Sequence, residues 1–172
     1  DASILTGLVK AWRNLYRMLR PELLLVDHAP TALLAARGLD IRTVSLGTGF
    51  FIPPGTTPMP SIRPWLRLTD ERLLSSEMRV LGEINKVLAT LGVDPLDRLA
   101  DLLAVDRDFL ATYAELDHYG ARDGADYCGP RFLREEGVEP VWPAGDGPRV
   151  FAYLKPQHRD FTAVVSALMN LP

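Results

Sequence analysis

The sequence predicts an α/β fold, a Rossmann-like parallel sheet with flanking helices. Three observations carry that expectation. Two short apolar runs, at Leu23–Val26 and Ile41–Leu46, are each bounded by turn residues, as the strands of a parallel sheet are. About a dozen residues separate them, near the minimum for a helical crossover and too many for a hairpin. Longer segments of helical period stand on either side.

Each element follows from its own residues. Ala2–Arg20 reads as an amphipathic helix, with Leu5, Leu8, Trp12, Leu15 and Leu19 at three- and four-residue steps and Arg13, Arg17 and Arg20 on the other side. Pro21 stops it. Glu22–Asp27 is a strand whose continuous apolar core suits burial on both faces. Ala29–Arg37 is a short Ala/Leu helix closed by Gly38. Ile41–Leu46 is the second strand of the βαβ unit. Gly47–Pro64 holds three Gly and five Pro among 18 residues and is a loop, of the length that binding loops and mobile linkers share. Thr69–Leu91 returns to helical period through Leu74, Met78, Leu81, Ile84, Leu88 and Leu91, and Gly92 closes it. Asp94-Pro95 pairs an N-cap type with a first-turn proline, so a further helix is expected over Pro95–Leu103. Phe109–Tyr113 and Asp126–Gly129 read as short strands. The Gly/Pro-rich, mixed-charge stretch Arg131–Gly147 is a linker. Arg149–Leu154 and Arg159–Met169 then read as the strand and helix that begin a new domain. The division is 1–130, a linker at 131–147, and 148–172.

The bulk numbers exclude several classes. The chain of 172 residues is 47% hydrophobic and 24% charged, which is ordinary for one globular domain with a core. A net charge of −3 argues against a general electrostatic grip on nucleic acid. Cys128 is the only cysteine, so neither an intramolecular disulfide nor a zinc cluster is expected. That usage fits a cytoplasmic protein. No apolar run reaches the roughly 18 residues of a membrane span, and no signal peptide is visible.

Chemistry is sought first where strands end, because open α/β sheets bind ligands at the carboxyl ends of their strands. Asp27 stands there. It is either a cap for the following helix or a carboxylate that orients a histidine base. The phospho-acceptor Asp of a receiver domain also follows an apolar strand, but the acidic pair on an earlier strand is lacking. His28 is a poor partner for Asp27 if the strand persists, since successive side chains point to opposite faces. Gly47-Thr48-Gly49 follows the second strand. It matches neither GxGxxG nor GxSxG, and a tight turn is the plainer reading. Phe50 and Phe51 are two large apolar residues in a loop, which face either a core or a ligand cleft. His118 and His158 read as turn and surface histidines. No set of His, Asp and Glu has metal-ligand spacing.

The stretch RPELLLVDHAPTALLAARGLDIRTVSLGTGFFIPP resembles the middle of the N-terminal domain of GT-B-fold glycosyltransferases, above all the bacterial relatives of UDP-glycosyltransferases that modify natural products. Phe109–Thr112, Glu115–Tyr119 and Tyr127-Cys128-Gly129-Pro130 agree in order, and Gly147–Pro156 resembles the first strand of that family's C-terminal domain. The resemblance implies two Rossmann-like domains facing across a cleft. The acceptor sits on the N-terminal one and a nucleotide-sugar, a UDP-sugar in this group, mainly on the C-terminal one, with no further cofactor and no metal. It implies a histidine base held by an Asp at the end of a strand, and Asp27 occupies the matching position. Gly47, Thr48, Gly49, Phe50 and Phe51 would line the acceptor side, facing a small, flat aromatic or lipid-like molecule. The histidine base and the donor signature are both missing here, so the chain is expected to be the middle of such an enzyme and inactive alone. The other expectation is a non-catalytic α/β ligand-binding or protein-interaction module.

Overall fold

The computed structural model describes residues 2–130, 138–139, 141–142, 144–147 and 149–171. They divide into two compact units, Asp1–Arg131 and Phe132–Pro172.

The first unit is built on an open sheet of three parallel strands, β1 (Leu23–Val26), β2 (Arg42–Gly47) and β3 (Arg107–Leu110), in the order β1-β2-β3. Val26 pairs with Ser45, and Gly47 with Leu110, so all three strands end at one edge. Helices α1 (Ala2–Leu19), α2 (Pro30–Ala36) and α3 (Asp70–Thr90) flank it. The fold is thus the α/β, Rossmann-like arrangement that the βαβ pattern implies. Its core joins Val9 and Tyr16 of α1, Leu34–Ala36 of α2, and Ile84, Val87 and Leu88 of α3, with Leu24 of β1 packed against them.

Several elements depart from expectation. The buried stripe of α1 is Leu5, Val9, Trp12 and Tyr16, rotated from the leucine stripe, while Leu8 and Leu19 are exposed. Tyr16 wins the inner position because its hydroxyl donates to the Ala32 carbonyl (3.0 Å). Arg13 does not face solvent: its guanidinium donates to the Ala35 (3.2 Å) and Arg37 (2.6 Å) carbonyls at the end of α2, where a helix leaves acceptors unpaired. β1 is not buried on both faces. Val26 is buried, but Leu23 and Leu25 are 51% and 59% exposed, since the core lies on the side of Leu24.

The expected helix over Pro95–Leu103 shrinks to a 3-10 turn at Leu99–Leu102. The Asn85 amide clamps Leu96, accepting from its N–H (2.9 Å) and donating to its C=O (3.0 Å). That pins Leu96 to α3, and residues 93–96 have no helix. The expected strand Asp126–Gly129 is only an isolated bridge, Tyr127 to Leu110, ended by Gly129 at φ +67° and Pro130. The strand expected at Phe109–Tyr113 begins earlier, at Arg107, where Asp106 accepts from the Thr43 N–H (2.6 Å) and sets the register.

In the second unit, α4 (Phe161–Met169) is the helix expected near its end, and the Arg149 guanidinium lies 5.9 Å from the Trp142 ring centre. Residues 149–154 form no strand. Extended backbone needs a neighbouring strand for its N–H and C=O groups, and α4 is the only regular element among the described residues of this unit. Most of the linker expected at 131–147 lies outside the described residues.

Candidate functional site

The carboxyl edge of the sheet collects the three strand exits: Asp27-His28 after β1, Thr48–Ile52 after β2, and the turns around Asp117 and His118 after β3. Asp27 does not cap α2. The cap position is Ala29, with no side-chain hydrogen bond. The Asp27 carboxylate is exposed and makes no hydrogen bond or ion pair among the described residues. Its Oδ1 stands over Gly47, 3.2 Å from where a Cβ there would be.

His28 adopts φ +45°, so the chain leaves the strand direction at once. Its ring packs on Phe51, with centroids 4.8 Å apart. Phe51 meets Phe50 edge-on at 5.1 Å, Phe50 meets His118 at 5.0 Å, and His118 meets Tyr119 at 4.7 Å. Five rings thus run along the edge. Phe50 and Phe51 remain 39% and 38% exposed, on a turn closed by the Thr48 carbonyl accepting from the Phe51 and Ile52 N–H groups. His118 Nε2 lies 3.0 Å from the Ile62 carbonyl oxygen and ties this row to the long loop. His158 is exposed in the second unit, beside Asp160.

Behind the row lies a buried carboxylate that sequence reading passes over. Asp117 accepts from the Tyr127 hydroxyl (2.8 Å), the Tyr119 N–H (3.0 Å) and the Arg122 guanidinium through Nη2 (3.0 Å), with Arg122 Nε 2.9 Å from its other oxygen. Burial pushes its pKa up, but Arg122 and the two other donors outweigh that and hold it below the usual aspartate range. Gly49 is buried against this carboxylate, and its carbonyl accepts from Arg122 (3.3 Å). Gly47-Thr48-Gly49 is therefore split in use: Gly47 lies under Asp27, Thr48 is exposed, and Gly49 seats Asp117. Only the spacing of the Gly pair hints at this from sequence.

No family model and no curated protein matches the chain. The site therefore rests on its own geometry. A cleft of about 250 Å³ opens beside it under the Ile52–Gly55 loop, between β1, β2 and the 3-10 turn. Val26, Leu33, Phe51, Ile52 and Leu103 give it apolar walls. Among the described residues, no group of three His, Cys, Asp or Glu side chains could hold a metal, and no helix is long and apolar enough to cross a membrane.

Proposed function

We propose that these residues form the acceptor side of a glycosyltransferase that moves a sugar from a nucleotide-sugar, a UDP-sugar, to a hydroxyl of a small aromatic or lipid-like acceptor. The observation that carries this reading is the placement of Asp27. It is an exposed carboxylate at the carboxyl edge of a parallel sheet, released from helix capping and flanked by an aromatic row. The family resemblance of the surrounding sequence supplies the reaction class.

In direct displacement the acceptor oxygen bonds to the sugar carbon as the bond to the nucleoside diphosphate breaks. The acceptor proton must leave, and a histidine held by a carboxylate takes it. Asp27 is the positioning residue for that histidine. His28 packs at a tilt on Phe51 and His118 is turned to Ile62, so the base comes from outside these residues. The ring row offers a flat apolar wall for the acceptor.

The test is glycosyl transfer by the full-length protein in which these residues lie. Asp27→Asn keeps the fold, lowers kcat by about 10²–10⁴, and leaves acceptor affinity nearly unchanged, because the carboxylate acts mainly in the transition state. Undiminished turnover in the variant would remove Asp27 from the chemistry and favour a non-catalytic binding module.

A further inference from the structure

We propose that the cleft under the Ile52–Gly55 loop binds a small organic cation, with the ligand ammonium on the carboxylate of Asp108. Asp108 lies on β3 beside Ser45 of β2, and both line the cleft. Ser45 is buried and is the register partner of Asp108, so the two side chains stand side by side on one face of the sheet, with Asp108 reaching solvent at the cleft.

The cations around it are already engaged. Arg98, at the cleft mouth, is paired with Asp101 (2.5 Å) and donates to the Gly55 carbonyl (3.3 Å). Asp108 also borders an adjoining hollow of about 390 Å³. There Arg107 is paired with Asp126 (2.9 Å) and Arg122 with Asp117 (2.9 Å). Among the described residues, Asp108 and Asp123 are left without an ion-pair partner beside these hollows.

A charge of this kind beside apolar walls selects its ligand. Asp108 is exposed at its tip, and partial burial of its carboxyl pushes its pKa up against the lowering effects of Ser45 and Arg122, so a bound cation relieves the cost of ionising it. A hydrated metal ion would find too few ligands. An ammonium on a ring or short alkyl body satisfies both parts: the charge meets Asp108, and the body meets Val26, Leu33 and the Phe51 ring. The volume suits one ring rather than an extended ligand. Cation binding here needs neither Asp27 nor a donor, and Phe51 is the residue that the cleft shares with the proposed acceptor wall.

Benzylammonium, benzyl alcohol and benzoate are titrated into the ¹⁵N-labelled 172-residue chain and followed by NMR. Benzylammonium binds about tenfold more tightly than benzyl alcohol, benzoate more weakly still, and the shifts centre on Ser45, Phe51, Ile52 and Leu103. In Asp108→Asn the advantage of the cation disappears while benzyl alcohol binding persists. The comparison of the three probes on the wild-type chain stands even if that variant fails to fold. Equal affinities for cation and alcohol, no saturable binding of benzylammonium, or shifts centred elsewhere would overturn cation recognition at this cleft.

Discussion

A methyl group added at Gly49 would stand 2.1 Å from Asp117 Oδ1 and 2.6 Å from its Cγ, well inside contact distance. Asp117 cannot retreat without losing Arg122, Tyr127 and the Tyr119 N–H together. Gly49→Ala is therefore expected to cost about 1–3 kcal/mol, as overpacking does. Gly55→Ala, where a Cβ meets nothing within 4 Å, should stay within about 0.5 kcal/mol. Urea denaturation of both variants decides it, and equal midpoints would mean that Asp117 yields. The same carboxylate shapes the pH response. Its pKa is lowered on folding, so its contribution is present above the ordinary aspartate range and is lost as pH falls through its folded value. Asp108 works the other way: its pKa is raised, so its contribution is complete below the ordinary range and is lost as pH rises through its folded value. Asp117→Asn should flatten the fall in stability between about pH 6 and pH 3, and Asp108→Asn should steepen it. An unchanged slope in both would show that neither group is linked to folding.

At the scale of elements, the parallel pair is legible because the strands read at Leu23–Val26 and Ile41–Leu46 are separated by a stretch too long for a hairpin and just long enough for a helical crossover. The ends of α3 are legible because Thr69 caps it, accepting from the Arg72 N–H (3.4 Å), and Gly92 follows it at φ +65°. What escapes the sequence is non-local. Asn85 holding Leu96, Arg13 reaching the end of α2, and Gly49 seating Asp117 each join residues far apart in the chain, and no local pattern records them. The position of Asp27 at a strand end is readable in advance, whereas its release from capping requires the backbone at Ala29. The exposed face of β1 is a further case, since an all-apolar strand does not say which of its faces the helices will cover. Leu34, 1% exposed in α2, should cost about 2–5 kcal/mol as Leu34→Ala. Leu25→Ala should cost under about 1 kcal/mol in the same chain. A comparable loss at both positions would mean that the outer face of the sheet is covered.

At the scale of the molecule, the main core cluster of the first unit draws on α1, α2, α3 and the 3-10 turn, and Leu110 of β3 is buried as well. Folding stability follows the apolar surface that an element buries, and no residue of α4 is buried although the helix is largely apolar. A chain ending at Arg131 should therefore unfold in one cooperative transition within about 2 °C of the 172-residue chain, a difference well below about 1 kcal/mol for a domain of this size. Residues 132–172 alone should show no cooperative transition, because a piece this short seldom supports a core without a disulfide or metal. Calorimetry of the three chains separates the possibilities. A drop of about 10 °C or more on truncation would mean that the second unit shares in the stability of the first. A sharp transition in residues 132–172 alone would show instead that they hold a core of their own.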